Sequence, residues 1–198
     1  MSRQTFQTLM TTYSFAFALL LASAAVSVAP GWSYESIAPQ TVEFPSDNLR
    51  LKAFLWKPHG PGPFPAVWFN HGSGGADAHY TAGFPIIEAA EKLAPLFLKH
   101  GYVFLYPFRR GQGLSADRAP FMQDVLQREE ATKGKEARQH LQFVLATTDH
   151  LDDVTAALSF LKTVPGVDPN RIAIAGRSFG GQLTLLAAGQ NKQPFIVD

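Results

Sequence analysis

Past the first 40 residues, apolar positions along the chain follow two alternating rhythms. Leu49, Leu51, Ala53 and Leu55 are interleaved with Arg50 and Lys52, the period of two expected of a strand with one wet face near its start. A shorter extended run at 41–44 precedes it, with Pro45, Ser46, Asp47 and Asn48 between as turn formers. The two runs, 41–44 and 49–56, predict a hairpin whose second strand suits a sheet edge. After a proline-rich link at 57–65, residues 66–69, 102–106 and 172–175 are continuously apolar, as strands covered by helices on both faces are. Between the first two, 86–99 carries Ala89, Leu93, Leu96 and Phe97 at helical spacing, with Pro95 predicting a break or kink and Gly101 a stop. Before the third, 151–163 repeats the helical period through Val154, Ala157, Leu158 and Leu161, and Asp149 is placed to cap it. Strand and helix alternate, which predicts a mostly parallel sheet flanked by helices. The charge-rich stretch 114–148 breaks this rhythm and reads as an insertion, helical around 121–131 and 135–145 with Gly134 between.

The amino terminus has a different pattern. Arg3 precedes an apolar run at 13–25 centred on Phe15, Phe17, Leu19, Leu20 and Leu21, followed by small residues at Ala22, Ala24, Ala25, Ser27 and Ala29. This predicts a signal peptide over 1–27, cut after Ala24, Ala25 or Ser27, and hence export to the periplasm or the extracellular space. The alternative is an uncleaved anchor, for which the apolar run falls short of the roughly 20 residues a spanning helix needs. No stable membrane anchor is therefore expected after cleavage, and the remainder from 41–198 reads as one domain. With 17 basic and 16 acidic residues the net charge is +1, too balanced for a nucleic-acid partner. The chain has no cysteine, and its 6 histidines show no paired metal-ligand spacing. Neither a metal nor a cofactor is expected. A small molecule is the expected partner.

The strongest chemical signal is Gly176-Arg177-Ser178-Phe179-Gly180-Gly181, which directly follows the apolar run 172–175 and opens the apolar stretch 182–188. A strand-turn-helix setting presents the hydroxyl of Ser178 on a tight turn, where only small neighbours fit, and the amide of Phe179 at the helix start faces a developing oxyanion. The same sequence also fits a tight helix entry without catalysis. A second signal, Asn70-His71-Gly72-Ser73-Gly74-Gly75, follows the buried run 66–69. Its small residues let backbone amides approach a substrate oxygen, or simply make a glycine turn. His71 sits where it shapes that loop, beside the acyl oxygen, and so is not the expected base.

Together with Arg109-Arg110-Gly111-Gln112-Gly113-Leu114-Ser115 after the run 102–106, these motifs resemble those of α/β-hydrolases, close to the dienelactone hydrolase and prolyl oligopeptidase-like group. The resemblance covers nearly all of the chain after the leader. It implies an α/β-hydrolase fold, with Ser178 as nucleophile. The amide of Phe179 and one from Gly72, Ser73 or Gly74 form the oxyanion hole it implies. Dienelactone hydrolases proper carry a cysteine at the elbow, so Ser178 points to the serine esterase and peptidase relatives. Arg109 and Arg110 have two readings: a guanidinium satisfying buried carbonyls beneath the loop, or a clamp for a substrate carboxylate. The insertion is either a solvated decoration or a flap lined by Phe121, Met122 and Val125.

In such folds the triad acid and histidine follow the nucleophile, on loops after later strands. No residue of this chain matches either, so both positions are expected beyond Asp198, and residues 194–197 read as the start of the next strand. The expectation is an incomplete, carboxy-terminally truncated hydrolase domain with little activity alone. Its class is an esterase acting through an acyl-serine. A serine peptidase and a non-catalytic binding module are the alternatives.

Overall fold

The computed structural model describes residues 38–73 and 86–190. The leader at 1–27, Gly74 and the extended run at 194–197 lie outside the described residues.

The hairpin forms as β1 (Gln40–Ser46) and β2 (Leu49–Trp56), antiparallel about a two-residue turn in which Asp47 takes φ 50. That is left-handed backbone, which aspartate tolerates better than most residues. β2 is not the edge strand, because its other side pairs antiparallel with β4 (Val103–Pro107) and leaves β1 outermost. Arg50 and Lys52 mark a wet face only over the first half of β2, and Phe54 and Trp56 then bury the same face. β4 lies parallel to β3 (Phe64–Asn70), and β3 parallel to β5 (Val167–Gly176), giving the order β1-β2-β4-β3-β5.

Strand alternation divides the core into two layers. Leu51, Ala53, Leu55, Ala66, Trp68, Val103 and Leu105 face one side, where they meet the buried stripe Val154, Ala157 and Leu161 of α4 (Asp149–Leu161) and Leu183 of α5 (Phe179–Gln190). Phe54, Trp56, Val67, Phe104 and Tyr106 face the other, against Ile86, Ala89, Ala90 and Ala94 of α1 (Ile86–Lys99). α1 runs uninterrupted through Pro95. The proline sits on the exposed face, where the carbonyl it leaves without a donor can turn to water. Leu96 is 60% exposed and so does not belong to the buried stripe, whereas Leu93 and Phe97 pack against it. α4 begins at Asp149, which puts that residue in the first turn and Thr148 at the cap position with no side-chain capping bond. Asp149 and Asp152 there still complement the positive end of the helix.

The insertion is helical as expected. A 3-10 helix (Gly113–Arg118) leads into α2 (Met122–Lys133) and α3 (Lys135–Thr147), with Gly134 between them at φ 88. β5 departs from the doubly covered strand expected of its sequence. Ile172 and Ile174 are half-buried on the α4–α5 side, Ala173 is exposed, and β5 pairs with β3 alone among the described residues.

The chain passes from β3 to β4 through α1 on one face, and from β4 to β5 through α4 on the other. β3 therefore stands between two strands reached by opposite crossovers. At such a switch point the crevice opens at the carboxyl ends of the strands, and both expected motifs lie there. No described helix is long and apolar enough to cross a membrane.

Candidate active site

Ser178 sits between the end of β5 and the first residue of α5, at φ 53, with its side chain exposed. A positive φ on a non-glycine residue stores backbone strain of about 1–3 kcal/mol and persists only where its surroundings enforce it. The enforcement is visible at Gly180, where a β-carbon would run into the carbonyls of Asn70 and His71. It is repeated at Gly176, where one would meet the side chain of Thr184 and the backbone of Gly180.

The two motifs are tied together by Asn70, which is fully buried at the end of β3. Its carbonyl accepts from the amide of Arg177 (3.1 Å), its Oδ1 accepts from Trp68 Nε1 (3.0 Å), and its Nδ2 donates to Thr184 Oγ1 (3.0 Å). The next turn brings Gly72 against the elbow. A β-carbon on Gly72 would lie 3.3 Å from the carbonyl of Arg177, 3.4 Å from Ser178 Cβ and 4.0 Å from Ser178 Oγ. Ser73 is exposed beside it, and Gly74 lies outside the described residues. The amide of Phe179 opens α5 and so has no partner within the helix. The exposed hydroxyl of Ser178, the first amide of α5 and the Gly72 turn thus lie side by side.

The arginine pair is committed to the protein itself. Arg109 is 1% exposed and donates to the carbonyls of His71 (Nη1, 2.8 Å) and Gly72 (Nη2, 3.0 Å) and to Gln112 Oε1 (3.0 Å), with its guanidinium carbon 5.4 Å from the centre of the Phe179 ring. Burial pulls its pKa down to about 10, so it remains charged at neutral pH. Arg110 lies between Asp153 (2.7 Å), Asp47 (2.8 Å) and Asp149 (3.2 Å). Neither guanidinium is presented to a substrate in this arrangement.

His71 lies beneath the loop, not behind Ser178. Its Nδ1 is 2.7 Å from the carbonyl of Gly72, which fixes the proton on Nδ1, and burial beside Arg109 holds it neutral, well below the usual histidine range. His150 on α4 was not singled out by the sequence. It is buried edge-on to Phe179, with ring centres 5.6 Å apart, and burial together with Arg109 and Arg110 lowers its pKa to about 3. Its register with Leu151 and Val154 on the buried side of α4 is the signal that could have revealed it.

That histidine gives the protein an acid-sensitive support. An unfolded histidine takes a proton near pH 6.5, while the folded one refuses it until about pH 3, so its contribution is intact above 6.5 and declines as pH falls toward 3. At pH 5 the decline from this group is about 2 kcal/mol. Urea unfolding at pH 7.5 and 5 measures it, and His150→Phe should flatten the difference, leaving the part due to His71. An unchanged pH dependence in the variant would refute the assignment.

A cleft of about 270 Å³ adjoins the elbow, lined by Gln139, Gln142, Phe143 and Ala146 of α3 and by Phe179 and Gln182 of α5. The insertion does border the elbow, but through α3. Phe121, Met122 and Val125 do not line this cleft, and Met122 packs into the core with Leu126.

The chain is similar to several known hydrolases. The prolyl oligopeptidase family profile matches residues 130–197, which span the elbow. A putative carboxymethylenebutenolidase from Synechocystis sp. is 26% identical over 150 residues, covering 74% of this chain and 52% of the relative. The quorum-quenching protein AidA of Acinetobacter baumannii is 26% identical over 156 residues, covering 79% and 41%. The chain thus spans about half the length of the curated relatives it matches. Among solved structures, the esterase Est22 superposes with a TM-score of 0.53 at 21% identity, over 80% of this chain and 39% of that one. The fold is that of the α/β-hydrolases, and the chain is similar in sequence to members of the dienelactone hydrolase and prolyl oligopeptidase-like group.

Proposed function

We propose that this chain is the nucleophile-bearing part of an exported serine hydrolase that cleaves a small carboxylic ester. The observation that carries the reading is Ser178, exposed and strained at φ 53, with Gly72 packed against it. In the proposed reaction Ser178 Oγ adds to the ester carbonyl carbon while its proton passes to a general base. The carbonyl oxygen becomes an anion facing the amides of Phe179 and of Gly72 or Ser73. The C–O bond to the leaving alcohol then breaks, and the base returns the proton to it. Water repeats the sequence on the acyl-serine to release the acid.

The base is the part that the described residues do not supply. His150, with its pKa near 3, is too weak an acceptor, and the nitrogen of His71 that could accept a proton, Nε2, is buried without a hydrogen-bond partner among the described residues. The reading therefore needs a base and an acid that are not among the described residues, and the curated relatives are about twice as long as the stretch they share with this chain. Export rests on the leader pattern at 1–27 and is checked by sequencing the amino terminus of the secreted protein.

The test is a fluorophosphonate applied to the full-length gene product. Ser178 becomes labelled, and Ser178→Ala takes up none. Equal labelling of both, or none of either, sinks the reading. The prolyl oligopeptidase match favours a second reading, a serine peptidase, and matched ester and amide substrates separate the two by which leaving group is released faster.

A further inference from the structure

Arg109 touches both halves of the proposed oxyanion hole from below, and the resulting geometry specifies where the donors point. In a trans peptide the N–H is directed opposite to the C=O. The carbonyl of His71 is drawn inward by Arg109 Nη1 at 2.8 Å, so the N–H of the same peptide, which belongs to Gly72, faces away from the guanidinium. The carbonyl of Gly72 is drawn inward by Nη2 at 3.0 Å and by His71 Nδ1 at 2.7 Å, so the N–H of Ser73 faces away as well. The turn that Arg109 holds is the one packed on the elbow, since a β-carbon placed on Gly72 would lie 3.4 Å from Ser178 Cβ. The second half of the hole rests on the same group, because the ring of Phe179 lies 5.4 Å from the guanidinium carbon. Gln112 Oε1 at 3.0 Å holds the guanidinium in place.

We propose that Arg109 is a positioning residue that aims the oxyanion donors: one planar guanidinium fixes two successive peptide planes of the His71–Gly72–Ser73 turn and braces Phe179, so that their amides share one target. The fork geometry matters here. Two carbonyls one residue apart match two guanidinium nitrogens, whereas a lysine ammonium is a single point charge. Arg109 is 1% exposed and does not itself reach a substrate, so its effect passes entirely through backbone. The proposal rests on the acyl-serine reading for its kinetic consequence, but its geometric content stands apart from that reading.

Arg109→Met and Arg109→Lys, made in the full-length protein, test it. Misaiming one donor lowers kcat by roughly 100- to 1000-fold. Arg109→Met is expected to show a loss of that size with KM changed by less than about threefold, since only the transition state carries the anion. A trifluoromethyl ketone, which forms an oxyanion on Ser178, should lose affinity in step with kcat/KM. Arg109→Lys should recover part of both. A folded Arg109→Met with wild-type kcat and ketone affinity, however much its melting temperature drops, overturns the proposal. If Arg109→Met does not fold, Arg109→Lys decides by the same criteria. If the wild-type protein neither labels at Ser178 nor hydrolyses any ester, the acyl-serine reading has failed. The positioning claim is then judged on a crystal structure of Arg109→Lys: rotated peptide planes at His71 and Gly72 support it, and unchanged planes overturn it.

Discussion

Gly180→Ala is expected to destabilise the protein by about 3–5 kcal/mol and to silence Ser178, although helix propensity alone favours alanine by about 1 kcal/mol at such a position. Propensity loses because the new methyl group has no free space. Its β-carbon would overlap the carbonyl oxygens of Asn70 and His71 and would lie 2.6 Å from the carbonyl carbon of Asn70. All three atoms are main chain, so no rotamer change relieves the overlap. Either α5 moves away from β3 or the loop after β3 moves. The first course strains the bond from Arg177 N to Asn70 O, and the second strains the bond from Arg109 to His71 O. Both shift the amide of Phe179 relative to Gly72, and a displacement of about 1 Å at such a site costs about 100-fold in rate. Thermal unfolding and phosphonate labelling of the variant check the two effects. A variant that melts and labels like the wild type would mean that the elbow and the loop are not packed as described.

The second large effect is expected at Asp153. This carboxylate is 1% exposed, and it accepts from Arg110 Nη2 (2.7 Å), Arg110 Nε (3.0 Å), the amide of Arg110 (2.9 Å) and the hydroxyl of Ser46 (2.7 Å). It thereby fastens the end of β1, the loop after β4 and the second turn of α4 to one another. Asp153→Ala leaves the guanidinium with the more exposed Asp47 and Asp149 and leaves the Ser46 hydroxyl without this partner. Removing one member of a buried pair costs about 3–5 kcal/mol, mostly through the charge left behind. Asp153→Ala combined with Arg110→Met should therefore be less destabilised than the sum of the two single changes, because the double variant leaves no buried charge unpaired and Asp47 and Asp149 are half-exposed. Urea unfolding of the four proteins gives the coupling directly. A single-variant cost under 1 kcal/mol, or strict additivity, would mean that the cluster is solvated and contributes little.

Most of the elements were legible in the sequence because their signals are local. The hairpin, α1, the split of the insertion at Gly134 and the strand-turn-helix around Ser178 all depend on residues within a few positions of one another. What was not legible depends on pairing across the chain. Nothing near Leu49 says that β4 will come alongside β2, so its polar first half read as an edge. Ala173 belongs to an apolar run that read as covered on both faces, yet coverage is set by what packs there, and in the described residues that face is open. Asp149 read as a cap because cap residues are recognised by type, while helix starts are fixed by backbone geometry. The site shows the same division. The elbow and the small-residue loop were readable as motifs, but the role of Arg109 as the piece joining them, and the presence of His150 under Phe179, follow only from the crossover of α4 beneath β3 and β5.

The insertion carries its own practical consequence. α3 contributes no fully buried residue, yet it supplies one wall of the cleft beside the elbow, and it is bounded by Gly134 on one side and Thr148 on the other. α4, which holds both Asp153 and His150, is anchored to the rest of the domain by contacts that do not pass through α3. A library of substitutions at Gln139, Gln142 and Phe143 would thus reshape the space next to Ser178 at positions that do not pack into the buried core.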